Sequence, residues 1–254
     1  MITTPKRYYI LGATGFIGKH VAATLSKLRA DIVELNRPRY DFKDPQSLFD
    51  LDYEDSIIID CATLADGDEA EIQSVVLNGP KKFVDFLAGT RVRYIYFSTS
   101  TVTHEKVVQE NAYVRCKKEM EKSILNLDDS TIIRLSFPYG PGESPNRLIS
   151  RLTSKVAKGE AITIGDIRLP LTPLPFLIDN LQALFQSKKR IINFSDGAAY
   201  QLMEVVEAIF SALNIHPEYQ LDSSNKDDLT ISDPDIYPNT HDPIMLIKQM
   251  ARTS

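Results

Sequence analysis

Tyr113 and Lys117 stand four residues apart in the stretch NAYVRCKKEME. On a helix this spacing places both side chains on one face. An unperturbed phenol ionises at about pH 10, and a neighbouring ammonium stabilises the phenolate and lowers that value. Such a pair can give or take a proton near neutral pH. Three hydroxyls stand upstream, Ser98 at the end of the apolar run RYIYFS and Thr99 and Ser100 just after it. Hydroxyls at such a place bond a ligand or their own loop. Near the N-terminus, Gly12, Gly15 and Gly18 recur every third residue in YYILGATGFIGKH. An apolar, β-prone run precedes them and helical periodicity follows. Gly12 can take backbone angles that a side chain forbids, Gly15 leaves no Cβ between turn and ligand, and Gly18 lets the helix pack closely on the strand. The helix start then offers unpaired N–H groups and a partial positive charge, which suit a dinucleotide pyrophosphate.

The elements that must hold these groups alternate. RYYIL, DIVEL, SIIID, RYIYFS and STIIRLS read as strands. Ile17, Val21, Leu25 and Leu28 mark one amphipathic helix. Asp44-Pro45 reads as the N-cap and first position of another. Ile72, Val75, Val76, Phe83 and Leu87 fall mostly on one face of a helix over 69–87 that Pro80 kinks or restarts, and a further helix covers 111–125. Strand–helix alternation predicts βαβ units and an α/β, Rossmann-type doubly wound parallel sheet. After Arg134 the punctuation changes. FPYGPGESP is a loop, 147–158 a helix, AITIGDIRLPLTPLP extended, FLIDNLQALFQ a helix, RIINFS a strand and 203–213 a helix. A polar, turn-rich tail, KDDLTISDPDIYPNTHDP, leads to a last helix, IMLIKQMA. The expected division is a dinucleotide-binding domain, 1–140 with about 176–196, and a smaller discontinuous substrate-binding cap, 141–175 with 197–254.

Composition bounds the reading. The 254 residues are 43% hydrophobic and 25% charged, enough for one substantial core, or one large domain with a small appendage. The net charge of -5 gives no basic surplus for nucleic acid or an anionic membrane. No apolar run approaches the roughly 20 residues of a membrane span, and MITTPKRYYI lacks a signal-peptide core, so a cytoplasmic protein is expected. Cys61, expected to be buried, and Cys116, on a helix, make no disulfide framework. His20, His104, His216 and His241 are scattered, so no metal site is expected.

GATGFIG resembles the turn of the extended short-chain dehydrogenase/reductase family, many of whose members act on nucleotide sugars. The similarity extends to about Gly142 and continues more weakly to about residue 185. It implies a cofactor on Gly12, Thr14, Gly15, Phe16, Ile17 and Gly18. In VELNRPRYDF, the NAD-using members carry an acid where Asn36-Arg37 stands here, with Arg39 close by. A guanidinium there suits a 2′-phosphate, which implies NADP(H), with NAD(H) possible. Asp41 matches the acid that contacts the adenine amino group. CAT, Cys61 to Thr63, resembles the segment lining ribose and pyrophosphate, which assigns Ala62 and Thr63 to the cofactor. Asn78 matches a family asparagine of mostly structural role.

Counting back from Val102 in YIYFSTSTV, the resemblance assigns Thr99 to the reacting oxygen, with Ser98 and Ser100 as close competitors. Thr103-His104 replaces the usual Tyr-Gly. Tyr113 becomes the proton donor, and Lys117 also holds the nicotinamide ribose. LSFPYGPGESP resembles the loop around nicotinamide and sugar, with Phe137 and Pro138 on the cofactor side and Tyr139 to Gly142 matching its YGPG turn. Ser100, Tyr139 and Arg147 are candidate substrate contacts. In the region of LPFLIDNLQALF the expected arginine is absent, Pro173 falls near its place, and Arg147 or Arg168 could substitute. The implied activity is NADP(H)-dependent reduction of a nucleotide-linked keto-sugar, a 4-keto-6-deoxy sugar first among them. An NAD-retaining nucleotide-sugar epimerase and a non-catalytic cofactor-sensing protein stay open. The resemblance also implies a homodimer, for which the apolar residues of IQSVVLNGPKKFVDFL are candidates.

Overall fold

The computed structural model describes residues 7–253; MITTPK, at the start of the expected first domain, lies outside the described residues. The strands are β1 (Tyr8–Leu11), β2 (Ile32–Leu35), β3 (Ser56–Asp60), β4 (Val92–Thr99), β5 (Asp129–Leu135), β6 (Pro138–Tyr139), β7 (Thr163–Leu169), β8 (Thr172–Pro173), β9 (Ile191–Ser195), β10 (Tyr200–Gln201), β11 (Gln220–Asp228) and β12 (Asp235–Ile236). Seven of them form a parallel sheet in the order β12-β9-β5-β4-β3-β1-β2. β1 pairs in parallel with both β2 and β3, and β3 with β4. The chain leaves β1 towards β2 and then returns to the other side through β3. The turns that follow β1 and β3 therefore flank the point where the winding reverses, the place where open α/β sheets hold ligands.

The helices are α1 (Gly18–Lys27), α2 (Gln46–Phe49), α3 (Glu69–Gln73), α4 (Gly79–Leu87), α5 (Glu105–Glu110), α6 (Ala112–Ile124), α7 (Leu148–Ala157), α8 (Leu174–Gln186), α9 (Leu202–Leu213) and α10 (Pro243–Thr253). Val21 and Leu25 of α1 are buried, but Leu28 caps its end and is 59% exposed. Pro45 is the N-cap of α2 rather than its first residue. Between α3 and α4 lies a π turn, Ser74–Asn78. Pro80 follows at once and has no N–H to return to the preceding turn, so the ladder changes register there. Ile72, Val76, Phe83, Val84 and Leu87, proposed for a dimer face, are buried within the chain itself. Tyr9, Leu11, Ile58, Tyr94, Tyr96, Phe83, Met120 and Ile124 belong to one core cluster.

Two compact units emerge, residues 7–134 with Leu181–Ile192, and Leu135–Asn180 with 193–253. Within the second, β7 pairs with β10 antiparallel and with β11 parallel. β11 is the polar run QLDSSNKDD, part of which the sequence pattern assigns to a turn-rich tail.

Gly18 shows how tightly the first turn is built. A Cβ there would lie 2.1 Å from the Gly12 carbonyl oxygen, a backbone atom that cannot step aside. Gly18→Ala should cost about 1–3 kcal/mol, the range for overpacking, read as a lower urea midpoint. An unchanged midpoint would refute this account of the turn.

Candidate cofactor and proton-transfer site

The glycine turn is hung from its neighbours. The Gly12 N–H donates to the Leu35 carbonyl at 3.0 Å and the Gly15 N–H to the Gly12 carbonyl at 2.9 Å. Gly12 has φ +70, and a Cβ on it would come within 2.8 Å of the Ala62 Cα. The CAT turn therefore presses directly on the glycine turn. Thr14 and Gly15 are exposed, and the first turn of α1 contains no acid. A side-chain-free, acid-free helix start at the winding reversal fits a dinucleotide pyrophosphate.

Asn36 has a role that sequence reasoning missed. Its Oδ1 accepts from the Thr14 N–H at 2.9 Å and the Thr14 hydroxyl at 3.3 Å. The amide fastens the end of β2 to the glycine turn. Arg37 beside it is exposed, and among the described residues no carboxylate lies in ion-pair range of it. The Arg39 guanidinium lies 5.2 Å from the Tyr40 ring centroid. Asp41 accepts from the Lys43 N–H at 2.9 Å.

Asn111 begins α6, its side chain accepting from the Val114 N–H at 3.2 Å. Tyr113, Lys117 and Glu121 follow at i, i+4 and i+8 on one face. Lys117 is 2% exposed. Its Nζ donates to the Phe97 carbonyl at 2.9 Å and sits 4.3 Å from the Tyr96 ring centroid and 5.8 Å from that of Tyr113. The face of an aromatic ring attracts a cation. Tyr113 itself is half-buried, packed near Ile72, Val76 and Cys116 on one side and Val102 and Val108 on the other.

The three hydroxyls part company. Ser98 is buried and donates to Glu121 Oε1 at 2.6 Å. Glu121 also holds Arg134 through two bonds, Nε to Oε1 at 3.0 Å and Nη2 to Oε2 at 2.6 Å. Ser100 is 1% exposed and opens a tight turn, Ser100–Thr103. Thr99 is half-buried, with its Oγ1 2.8 Å from that of Thr101. Thr99 is thus the most accessible of the three.

Asp60, at the end of β3, was also missed. It is 1% exposed. Its Oδ2 accepts from the Tyr94 hydroxyl at 2.7 Å and its Oδ1 from the Ala62 N–H at 2.9 Å. Burial pushes its carboxyl above the usual range, and the Lys117 ammonium and these two bonds oppose that rise. The Tyr96 hydroxyl is buried without a partner among the described residues. Ala62 and Cys61 are half-buried, Thr63 is exposed, and burial pushes the Cys61 thiol up. Asn78 is exposed at the close of the π turn. The signal for Asp60 was a charge at the end of the apolar run SIIID; Glu121, within KKEMEK, carried none.

In the second unit, Phe137 has φ +43 and is half-buried with Pro138. Tyr139 is 1% exposed and donates to the Pro243 carbonyl at 2.8 Å. Arg147 stands at the N-cap of α7, Arg168 is exposed on β7, and Pro173 is buried in β8.

A model of the NAD dependent epimerase/dehydratase family matches residues 8–171. The chain belongs to that family. It is an extended short-chain dehydrogenase/reductase and an NAD(P)-dependent oxidoreductase. A dTDP-4-dehydrorhamnose reductase of Mycobacterium tuberculosis is 22% identical over 237 residues, covering 84% of this chain and 77% of the relative. The structure of dTDP-4-dehydrorhamnose reductase from Bacillus anthracis in complex with NADP is similar at 18% identity and a TM-score of 0.72, over 87% of this chain and 85% of that one. UDP-glucose 4-epimerase of Thermus thermophilus in complex with NAD is similar at 17% identity and a TM-score of 0.73, over 97% of this chain and 99% of that one.

Glu121→Ala would remove the carboxylate that holds both the Arg134 guanidinium, 16% exposed, and the Ser98 hydroxyl. Breaking a buried pair from one side costs about 3–5 kcal/mol; partial exposure puts the expectation near ~3. Urea unfolding of wild type and variant measures it, and a loss below ~1 kcal/mol would contradict this reading of the network.

Proposed function

We propose that the chain reduces a nucleotide-linked keto-sugar, a 4-keto-6-deoxy sugar, at the expense of NADPH. The observation that carries the reading is the Tyr113–Lys117 pair, with the ammonium buried and 5.8 Å from the phenol ring. When bound, the nicotinamide supplies the hydride. Thr99 hydrogen-bonds the ketone oxygen and holds it for protonation. Tyr113 gives its phenolic proton to that oxygen, and Lys117 stabilises the phenolate left behind. Gly12, Gly15 and the start of α1 hold the pyrophosphate, and the CAT turn lines the ribose. Arg37 takes the 2′-phosphate in the place where a carboxylate would select NAD. The dehydrorhamnose reductases among the relatives support the substrate class. A homodimer in the cytoplasm belongs to the same reading.

The test is a nucleotide-sugar panel followed by NADPH absorbance. Oxidation of NADPH with a 4-keto-6-deoxy substrate supports the reading. Interconversion of sugars without net NADPH use would identify an epimerase and overturn it. Tyr113→Phe keeps the ring and removes the proton, so turnover should fall about 100-fold or more, with cofactor affinity little changed. Near-normal turnover would remove Tyr113 from the role.

Cofactor choice is tested separately. Arg37→Ala should lower the preference for NADPH over NADH by about tenfold or more and leave NADH binding nearly unchanged. Equal weakening of both cofactors, in titrations at fixed salt, would show that Arg37 does not read the phosphate.

A further inference from the structure

Two charged groups are sealed under α6. Lys117 and Asp60 are 2% and 1% exposed. A buried charge is retained only where another charge or several hydrogen bonds compensate it. For Lys117 the structure supplies one neutral carbonyl, Phe97, and the face of Tyr96. For Asp60 it supplies the Tyr94 hydroxyl and the Ala62 N–H. The strand register brings the two together. Asp60 on β3 is the Cα partner of Tyr96 on β4. Tyr94 and Tyr96, two residues apart, lie on one face of β4, and that face carries both the Tyr94 bond to Asp60 and the Lys117 ammonium over Tyr96. The charges are not in ion-pair contact. They act on each other through a dry interior, where attraction persists beyond contact distance.

We propose that Asp60 is a positioning residue of this site, its ionised carboxylate balancing the buried Lys117 ammonium and, through the Ala62 N–H, fixing the CAT turn against Gly12. The proposal rests on the reading of Tyr113 and Lys117 as the proton-transfer pair. The titratable groups that face it are Lys117 from α6, Tyr94 and Tyr96 from β4, and Cys61 from its own strand end; Tyr113, Cys116 and Glu121 of α6 face Tyr96. Glu121, one turn beyond Lys117, is engaged by Arg134 and Ser98. Among the described residues, Asp60 is the carboxylate that faces Lys117 without a cation of its own. Its negative charge offsets part of the positive field that Lys117 sets up around the proposed proton donor.

Two measurements test this. The first uses cofactor-free protein and needs no activity. Infrared difference spectra of wild type against Asp60→Asn isolate the Asp60 carboxyl. At neutral pH it should be ionised in wild type and protonated in Lys117→Met, with circular dichroism confirming that each variant is folded. A protonated Asp60 in wild type, or an ionised one in Lys117→Met, overturns the proposal while leaving the proposed activity untouched. The second is the pH profile of NADPH-dependent reduction. Asp60→Asn keeps the shape and removes the charge, so the alkaline limb should move to lower pH by about half a unit or more. Tyr94→Phe removes one hydrogen bond but keeps the charge, and should leave the limb in place. Equal shifts in both variants, or none in Asp60→Asn, would mean that Asp60 is merely structural.

Discussion

An ammonium held out of water constrains everything around it. Lys117 cannot be buried on α6 unless the helix, the strand beneath it and the strand beyond that all carry something for it. The Phe97 carbonyl turns its oxygen to Nζ, Tyr96 gives its ring face, and on the proposal above Asp60 gives charge from the adjacent strand. Three segments remote in sequence thus share one requirement. Tyr113 occupies the preceding position along the same helix face, with its ring centroid 5.8 Å from the ammonium.

The glycine turn obeys a second, purely steric constraint. The Gly12 carbonyl is the point on which the turn closes: Gly15 donates to it, and Gly18 passes so near that no Cβ fits. Gly12 itself lies against the Ala62 backbone. The chain Tyr94–Asp60–Ala62–Gly12 therefore runs without interruption from the core of β4 to the helix start that suits a pyrophosphate. A single carboxylate, Asp60, thus joins β4 to the turn that presses on the glycine turn.

Much of this was legible in the sequence, and the parts that were not share a cause. The strands β1, β3, β4 and β5 are apolar runs bounded by turn residues, and the glycine and Tyr–Lys spacings are fixed by local geometry, so a linear pattern reveals them. β11 is not such a run. QLDSSNKDD has no apolar alternation because it is largely exposed and held by main-chain pairing with β7, with a register shift between Asp222 and Lys226. Asp60 and Glu121 were hidden for another reason. Their partners lie 34 and 23 residues away, at Tyr94 and Ser98. A lone charge closing an apolar run, as Asp60 does, announces that something compensates it, but only the strand order says what; Glu121 lies among other charges, so nothing in the linear pattern sets it apart.

The end of β2 joins these themes. Read from sequence, Asn36 and Arg37 looked like two halves of one cofactor contact: a missing carboxylate and an added cation. The structure separates them. Asn36 bonds its carbonyl oxygen to Thr14, which makes it part of the glycine turn, and Arg37 is exposed, with no carboxylate partner among the described residues. An aspartate at 36 would still accept from the Thr14 N–H, so the turn could survive the change. The new charge would stand beside Arg37 and draw its guanidinium away from an incoming phosphate. On the proposed reading of Arg37, cofactor selection and turn geometry are then coupled at one position and separable at the next, a division of labour that spacing alone does not express.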